Sequence, residues 1–222
     1  ILQKKFDEFA KFSSELNFEH EFIFIDNNST DGSKEFLKQE EQKKNKNFLF
    51  IFNKKNIGKG GSIKKALSFT NKKYAIIFDI DEYELLDLKK IYDIIKNEDH
   101  DFLVGSRIFK NQANFIYKTN YYGVKLITEI INTLFNLKLT DAAGATKMIK
   151  MSEYAKYSFA TNKFDFEFDV LCKFAKDNKK INEFYSNYDP RTYKEGKKLR
   201  AFKDGFTILI IILKNFFRKN EN

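Results

Sequence analysis

Two carboxylates, Asp79 and Asp81, flank Ile80 at the exit of the short apolar run Tyr74 to Phe78. At this spacing both can address one hard cation, Mg2+ or Mn2+, which prefers oxygen ligands shared with phosphate. Glu82, Glu84 and Asp87 follow closely, so the stretch also reads as a solvated acidic turn, and a lone D-x-D motif does not decide between the two.

The arginines point to the anion such a cation would accompany. Of 40 basic residues only Arg107, Arg191, Arg200 and Arg218 are arginines. A chain so rich in Lys keeps Arg where a planar, bidentate fork is needed, as for phosphate. Arg107 directly follows the apolar run Asp101 to Gly105, and Arg191 and Arg200 bracket a segment beside the single proline, Pro190. A phosphate-binding surface and an ordinary basic loop are both consistent with that segment; Arg218, near the tail, reads as the latter.

Two polar turns complete the candidate chemistry. The segment Asp26 to Ser33 (DNNSTDGS) offers carboxylate and amide groups that could hydrogen-bond a sugar or a base. The same residue types also build an Asx-turn leading into a helix cap. The second turn, Asn56 to Ser62 (NIGKGGS), fails as a phosphate loop because Asn53 stands where glycine is required, and fails as a dinucleotide fingerprint because of Ile63. It reads as a glycine-rich helix start able to approach a ligand closely.

These residues need a scaffold, and hydrophobic periodicity supplies one. Short apolar runs at Glu21 to Asp26, Phe48 to Phe52, Tyr74 to Phe78 and Asp101 to Gly105 read as buried strands. Helical spacing over residues 1 to 17, after Asp31-Gly32-Ser33, over Ile63 to Thr70 and over Leu88 to Ile95 separates them. This alternation predicts an α/β fold, with a mostly parallel sheet covered by helices on both faces. Ligands of such sheets bind beyond the carboxyl ends of the strands, where Asp26, Asp79, Asp81 and Arg107 fall. The second half reads as a long helix around Ile116 to Asn136, a strand at Thr146 to Ile149, a helix over Phe166 to Lys176 and an extended Ile181 to Tyr188.

Composition sets the outer bounds. With 42% apolar and 32% charged residues, the chain is neither disordered nor a polytopic membrane bundle. The single Cys172 excludes an internal disulfide, and no Cys/His spacing suits zinc, so a reducing compartment fits best. The net charge of +9 is carried by a general Lys bias and suits anionic membranes or phosphate ligands about as well as nucleic acid. The phenylalanines fall in apolar periods and are expected in the core, which argues against a nucleic-acid-binding module. The run Phe206 to Phe217 is far shorter than the about 20 residues that span a bilayer. The amphipathic stretch Ala201 to Arg218 is expected either to lie on a membrane or to dock as a closing helix. The chain opens on Ile1 rather than Met and reads as a fragment.

Taken in order, DNNSTDGS, NIGKGGSIKKAL, DID, VGSR at Val104 to Arg107, LTDAAGATKMIK from Leu139, FDFEFDVL from Phe164 and YDPRTYKEGKKLRAFKDG from Tyr188 resemble the inverting glycosyltransferases of family 2, of the polyprenyl-phosphate (dolichyl-phosphate) mannosyl- and glucosyltransferase type. The resemblance implies a GT-A fold whose first strand is expected to be missing here. It implies one domain over 1–222, with a nucleotide-sugar half (1–106), an acceptor half (107–205) and a C-terminal amphipathic segment (206–222). On the donor side it implies Asp26, Asn27, Ser29, Asp31, Gly58 and Lys59, and a divalent metal, Mg2+ or Mn2+, on Asp79 and Asp81. Arg107 and Arg191 would face the acceptor phosphate, with Lys125, Lys147 and Glu167 on the acceptor side. Two positions depart from the family: the proline expected after the acidic pair is absent, and Ala145-Thr146 stand where an aromatic is preferred.

The expected activity is transfer of a hexose from a nucleotide sugar to a lipid phosphate. It would take place at the inner face of a membrane that the protein meets peripherally, with or without a membrane partner subunit. The alternative acceptor is a sugar hydroxyl in a cell-surface glycan, for which Asp141, Asp165 or Glu167 would be the base.

Overall fold

The computed structural model describes residues 2–80, 84–108, 115–188 and 201–219, with the backbone alone over 201–204. Its first unit is α1 (Leu2–Glu15), β1 (Phe22–Asp26), α2 (Ser33–Gln42) and β2 (Phe48–Phe52). β1 and β2 pair in parallel from Phe22↔Phe48 to Asp26↔Phe52. The reason these Phe-rich stretches meet is visible at Phe6, whose ring centre lies 4.9 Å from Phe24, 5.5 Å from Phe48 and 5.6 Å from Phe36. Edge-on and offset aromatic contacts of this kind add to the burial of the rings themselves.

The chain continues through α3 (Lys59–Leu67), β3 (Tyr74–Ile77), α4 (Leu86–Asn97) and β4 (Phe102–Ser106) to the long α5 (Lys118–Phe135). Then come β5 (Lys147–Lys150), the single turn α6 (Met151–Tyr154), α7 (Phe166–Lys176), β6 (Ile181–Tyr185) and α8 (Ala201–Phe216). The second sheet has the order β3-β5-β4-β6. β3, β4 and β6 run the same way, and β5 is inserted against them, antiparallel to both β3 and β4. The expected mostly parallel sheet is therefore interrupted by one reversed strand at its centre. α6 was not expected, because four residues are too few to show a helical period.

Every residue of β4 is buried, as for a strand covered on both faces. The main core runs from Leu67, Ile77 and Phe102 through Phe166, Leu171 and Phe174 to Ile208 and Ile212, joining both halves of the chain. α8 docks on this core through Ile208, Ile211 and Ile212, each burial worth on the order of 1.5–3 kcal/mol. Asn215 ties it to α7, its Nδ2 donating to Asp169 Oδ1 at 2.9 Å. Phe206, Ile210, Leu213 and Phe217 face outward from α8. The segment is thus a closing helix that keeps an exposed apolar stripe. None of the helices among the described residues is long and apolar enough to cross a membrane.

Candidate active site

The carboxyl end of β1 is shaped by its own last residue. Buried Asp26 accepts the backbone N–H of Asn28 at 3.0 Å and of Ser29 at 3.1 Å, which closes the turn and holds Asn28 at φ 64°. Asn and Asp tolerate this left-handed conformation better than other residues with a side chain. Asn27 then bridges to the next strand: its Oδ1 accepts Asn53 Nδ2 at 3.2 Å and the Ile57 N–H at 3.0 Å, and its Nδ2 donates to Asn56 Oδ1 at 3.0 Å. Asp31 Oδ1 accepts the Ser33 N–H at 3.1 Å and stands exposed at the start of α2. Of the expected donor-side residues, Asp26, Asn27 and Ser29 share one turn, with Asp31 at its rim.

The glycines of NIGKGG approach protein rather than open space. A Cβ on Gly58 would fall 2.1 Å from the Asn162 carbonyl oxygen, and one on Gly60 would fall 2.4 Å from Phe166 Cβ. The Gly60 and Gly61 N–H groups donate to the carbonyls of Lys163 and Asn162 at 3.2 and 3.0 Å. The start of α3 is therefore fastened to the loop that enters α7, and this fixes where Lys59 projects.

Lys59 Nζ lies 2.7 Å from Asp79 Oδ2 and 2.8 Å from Glu167 Oε1. The other oxygen of Glu167, Oε2, lies 2.7 Å from Lys147 Nζ, which also donates to the Gly144 carbonyl. Four charges, one from just past β3 and the others from α3, α7 and β5, thus form one line, Asp79–Lys59–Glu167–Lys147. Burial alone would raise the Glu167 carboxyl, but the two ammonium groups hold it well below the usual range. Burial works to lower Lys59, and the charges of Asp79 and Glu167 overcome it and hold the ammonium above its ordinary value. Lys147 goes the other way, lowered by burial that Glu167 only partly offsets.

Arg107, just past β4, spends its fork on Asp141. Nε lies 2.6 Å from Oδ2 and Nη2 lies 3.0 Å from Oδ1, and the Arg107 N–H adds a bond of 3.1 Å to Oδ2. The rings of Phe115 and Tyr188 lie 5.0 and 5.2 Å from the guanidinium carbon, within cation–π range. Burial would raise Asp141, but the Arg107 charge and hydrogen bonds hold it below the ordinary carboxylate value. Neighbouring Thr140 is gripped by Glu183 of β6, which accepts its N–H at 2.7 Å and its hydroxyl at 2.8 Å. Lys125 is exposed on α5. Asp81 and Arg191 lie outside the described residues.

The family resemblance sets Lys59 and Asp79 on the donor side and Lys147 and Glu167 on the acceptor side; the structure joins all four in one network. Sequence reasoning missed Asp141 as the partner of Arg107, and Asn53 and Asn56 as the amides that position Asn27. Asn53 and Asn56 flank the glycine-rich turn, which was the available signal.

This arrangement gathers polar turns and paired charges beyond the strand ends of an α/β fold, as a GT-A fold does. Residues 12–157 match the glycosyl transferase family 2, and the chain belongs to that family: it is a glycosyltransferase. It is 26% identical over 236 aligned positions to a dolichyl-phosphate beta-glucosyltransferase of Dictyostelium discoideum, covering 98% of this chain and 70% of that one. An uncharacterised glycosyltransferase of Methanocaldococcus jannaschii is 28% identical over 204 positions, covering 79% and 69%. Among solved structures, glucosyl-3-phosphoglycerate synthase from Mycobacterium tuberculosis, in complex with Mn2+, uridine diphosphate and phosphoglyceric acid, superposes with a TM-score of 0.66 at 12% identity, covering 90% of this chain and 69% of that one. A mannosyltransferase from Pyrobaculum calidifontis, in complex with GDP-mannose and Mn2+, gives 0.52 at 11% identity, covering 96% and 67%.

Proposed function

We propose that this glycosyltransferase moves a hexose from a nucleoside-diphosphate sugar to a polyprenyl-phosphate-type lipid, with inversion at the anomeric carbon. The observation that carries the reading is the state of the carboxylates. A hydroxyl acceptor needs a base, yet Asp141 and Glu167, two of the three carboxylates that could serve, are locked in ion pairs that keep them below their ordinary pKa. A phosphate acceptor needs no base, because its oxygen is anionic at neutral pH and attacks directly. The protein's task is then alignment. The name of the Dictyostelium relative, a dolichyl-phosphate beta-glucosyltransferase, points the same way.

In this reading residues 1–106 hold the donor, with Asp26, Asn27, Ser29 and Asp31 around the nucleoside and Gly58-Lys59 beside the diphosphate. The acceptor half spans 107–205. There Arg107, oriented by Asp141 and the rings of Phe115 and Tyr188, and Arg191 face the lipid phosphate, with Lys125, Lys147 and Glu167 on the same side. The oxygen donor chemistry of Asp79 fits Mg2+ or Mn2+. Among the described residues no group of three or more His, Cys, Asp or Glu comes together, so a cation would be held by Asp79 with Asp81 and by oxygens of the diphosphate. A bound cation would supply charge neutralisation of the departing diphosphate. The outward stripe of α8 with Lys214 suits contact with an anionic membrane surface, where a lipid phosphate would be met at the inner face.

The test is to offer the full chain a panel of UDP- and GDP-sugars with Mn2+, against polyprenyl phosphate in anionic vesicles and against a soluble oligosaccharide. Label entering the lipid phase is the expected result. Label entering only the oligosaccharide would replace this reading with the hydroxyl-acceptor one.

A further inference from the structure

The line Asp79–Lys59–Glu167–Lys147 contains two carboxylates and two ammonium groups, so its formal charge is zero before any ligand arrives. It is also poorly hydrated. Only 28% of the Asp79 side chain, 21% of Lys59, 7% of Glu167 and 1% of Lys147 is exposed. Charge imbalance in such a place is weakly screened and correspondingly costly.

We infer that Lys59 is a resident counter-cation for Asp79 that keeps divalent metal off the site until a nucleoside diphosphate is present, so that metal and nucleotide bind as a pair. The inference rests on the metal reading above. A cation on Asp79 would sit next to an ammonium already 2.7 Å from the same carboxylate, and it would add two positive charges to a line whose four groups carry no net charge. Lys59 cannot retreat with its backbone, because the N–H groups of Gly60 and Gly61 are bonded to Lys163 and Asn162 and the residue before it, Gly58, abuts Asn162. Only the ammonium can swing, and it needs another anion to swing towards. Glu167, already 2.8 Å from Lys59 through Oε1, also has to neutralise Lys147 through Oε2, so one carboxylate cannot balance both ammonium groups. A diphosphate supplies both the missing partner for Lys59 and the negative charge that the metal requires. Lys59 is a positioning residue in this role, acting on the metal through Asp79.

The experiment measures Mn2+ binding directly, by the electron paramagnetic resonance signal of free Mn2+, on the full chain and on Lys59→Met. Each is titrated alone and with UDP or GDP. The wild type should bind Mn2+ weakly alone and much more tightly with a nucleotide. Lys59→Met, with its net negative cluster, should bind Mn2+ at least about tenfold more tightly than wild type in the absence of nucleotide, and its gain from nucleotide should shrink. Lys59→Gln gives the same contrast should Lys59→Met not fold, and Lys59→Arg should behave like wild type. Equal nucleotide-free affinities in wild type and the neutral variants would overturn the inference while leaving the metal reading intact. Absence of Mn2+ binding by the wild type even with both nucleotides would overturn the metal reading and the inference with it.

Discussion

Lys147 Nζ lies 2.7 Å from Glu167 Oε2, with 1% of the lysine side chain exposed. The pair joins β5, the reversed strand at the centre of the sheet, to α7. It therefore fastens the sheet to the helix whose Glu167 also reaches Lys59 of α3.

Removing one member of this pair should be worse than removing both. Lys147→Met leaves Glu167 buried with Lys59 as its remaining counter-ion, and should cost about 3–5 kcal/mol of unfolding free energy. Adding Glu167→Gln should recover part of that loss. Urea unfolding of the single and double variants checks this, and simple additivity would show that the two residues are not coupled.

Arg107→Lys keeps the charge and loses the fork. It should lower stability by about 1–3 kcal/mol, since Asp141 is fully buried and loses at least one charge-assisted bond. Transfer should fall by about tenfold or more while nucleotide binding stays near wild type. Asp141→Asn should reproduce the stability loss. Loss of transfer in Asp141→Asn at unchanged stability would instead mark Asp141 as the base of a hydroxyl acceptor.

The glycines should separate by what surrounds them. Gly144→Ala places a Cβ 1.8 Å from the Gly105 carbonyl oxygen, so the sheet must shift or the chain fail to fold. Gly32→Ala meets nothing within 4 Å but must hold φ near +87°, a cost of about 1 kcal/mol. Gly123→Ala, inside α5 and with nothing within 4 Å, should stabilise by about 0.5–1 kcal/mol. Thermal melts of the three variants should rank in that order.

Acid should weaken the fold through Asp141 and Glu167. Both carboxyls are depressed in the folded protein, from ordinary values of 3.8 and 4.5. Their stabilisation is thus complete above those values and is lost as pH falls through the folded ones. Unfolding free energy should stay level from pH 7 to about 5 on their account and decline steadily below about pH 4. Lys59, shifted upward, adds stability that persists up to the ordinary lysine value of 10.5 and is lost only above it. Urea titrations at pH 7, 5 and 3 test the acid limb, and an unchanged value at pH 3 would contradict it.

Much of the scaffold was legible because its elements carry their own periodicity. The runs FIFID and FLFIF became β1 and β2, and the helix read from Phe166 to Lys176 is α7 with the same bounds. The acidic strand exit at Asp79 and the position of Arg107 past β4 were also readable, since sheet ends collect such residues. What was not legible depends on contacts far apart in sequence. Nothing in KMIK says that Lys147 is buried or that the strand runs backwards between β3 and β4, because burial of a lysine is set by Glu167, 20 residues on. The fork of Arg107 likewise meets a carboxylate 34 residues away. For α8, the amphipathic pattern allowed docking or surface contact, and the helix has a buried face and an apolar outer face at once.

The insertion of β5 also dictates an order of events as the chain leaves the ribosome. β3 and β4 emerge early, but among the described strands only β5 pairs with β3, and it joins β3 to β4. Until Lys147–Lys150 is released, both strands present unpaired backbone along the sides that β5 will later fill, which invites pairing with other nascent chains. The lag grows again at Lys59, whose partner Glu167 appears later still. Synthesis of this enzyme therefore leaves the first half of its chain waiting, and the stretch between β4 and α7 is where pausing or chaperone capture would matter most.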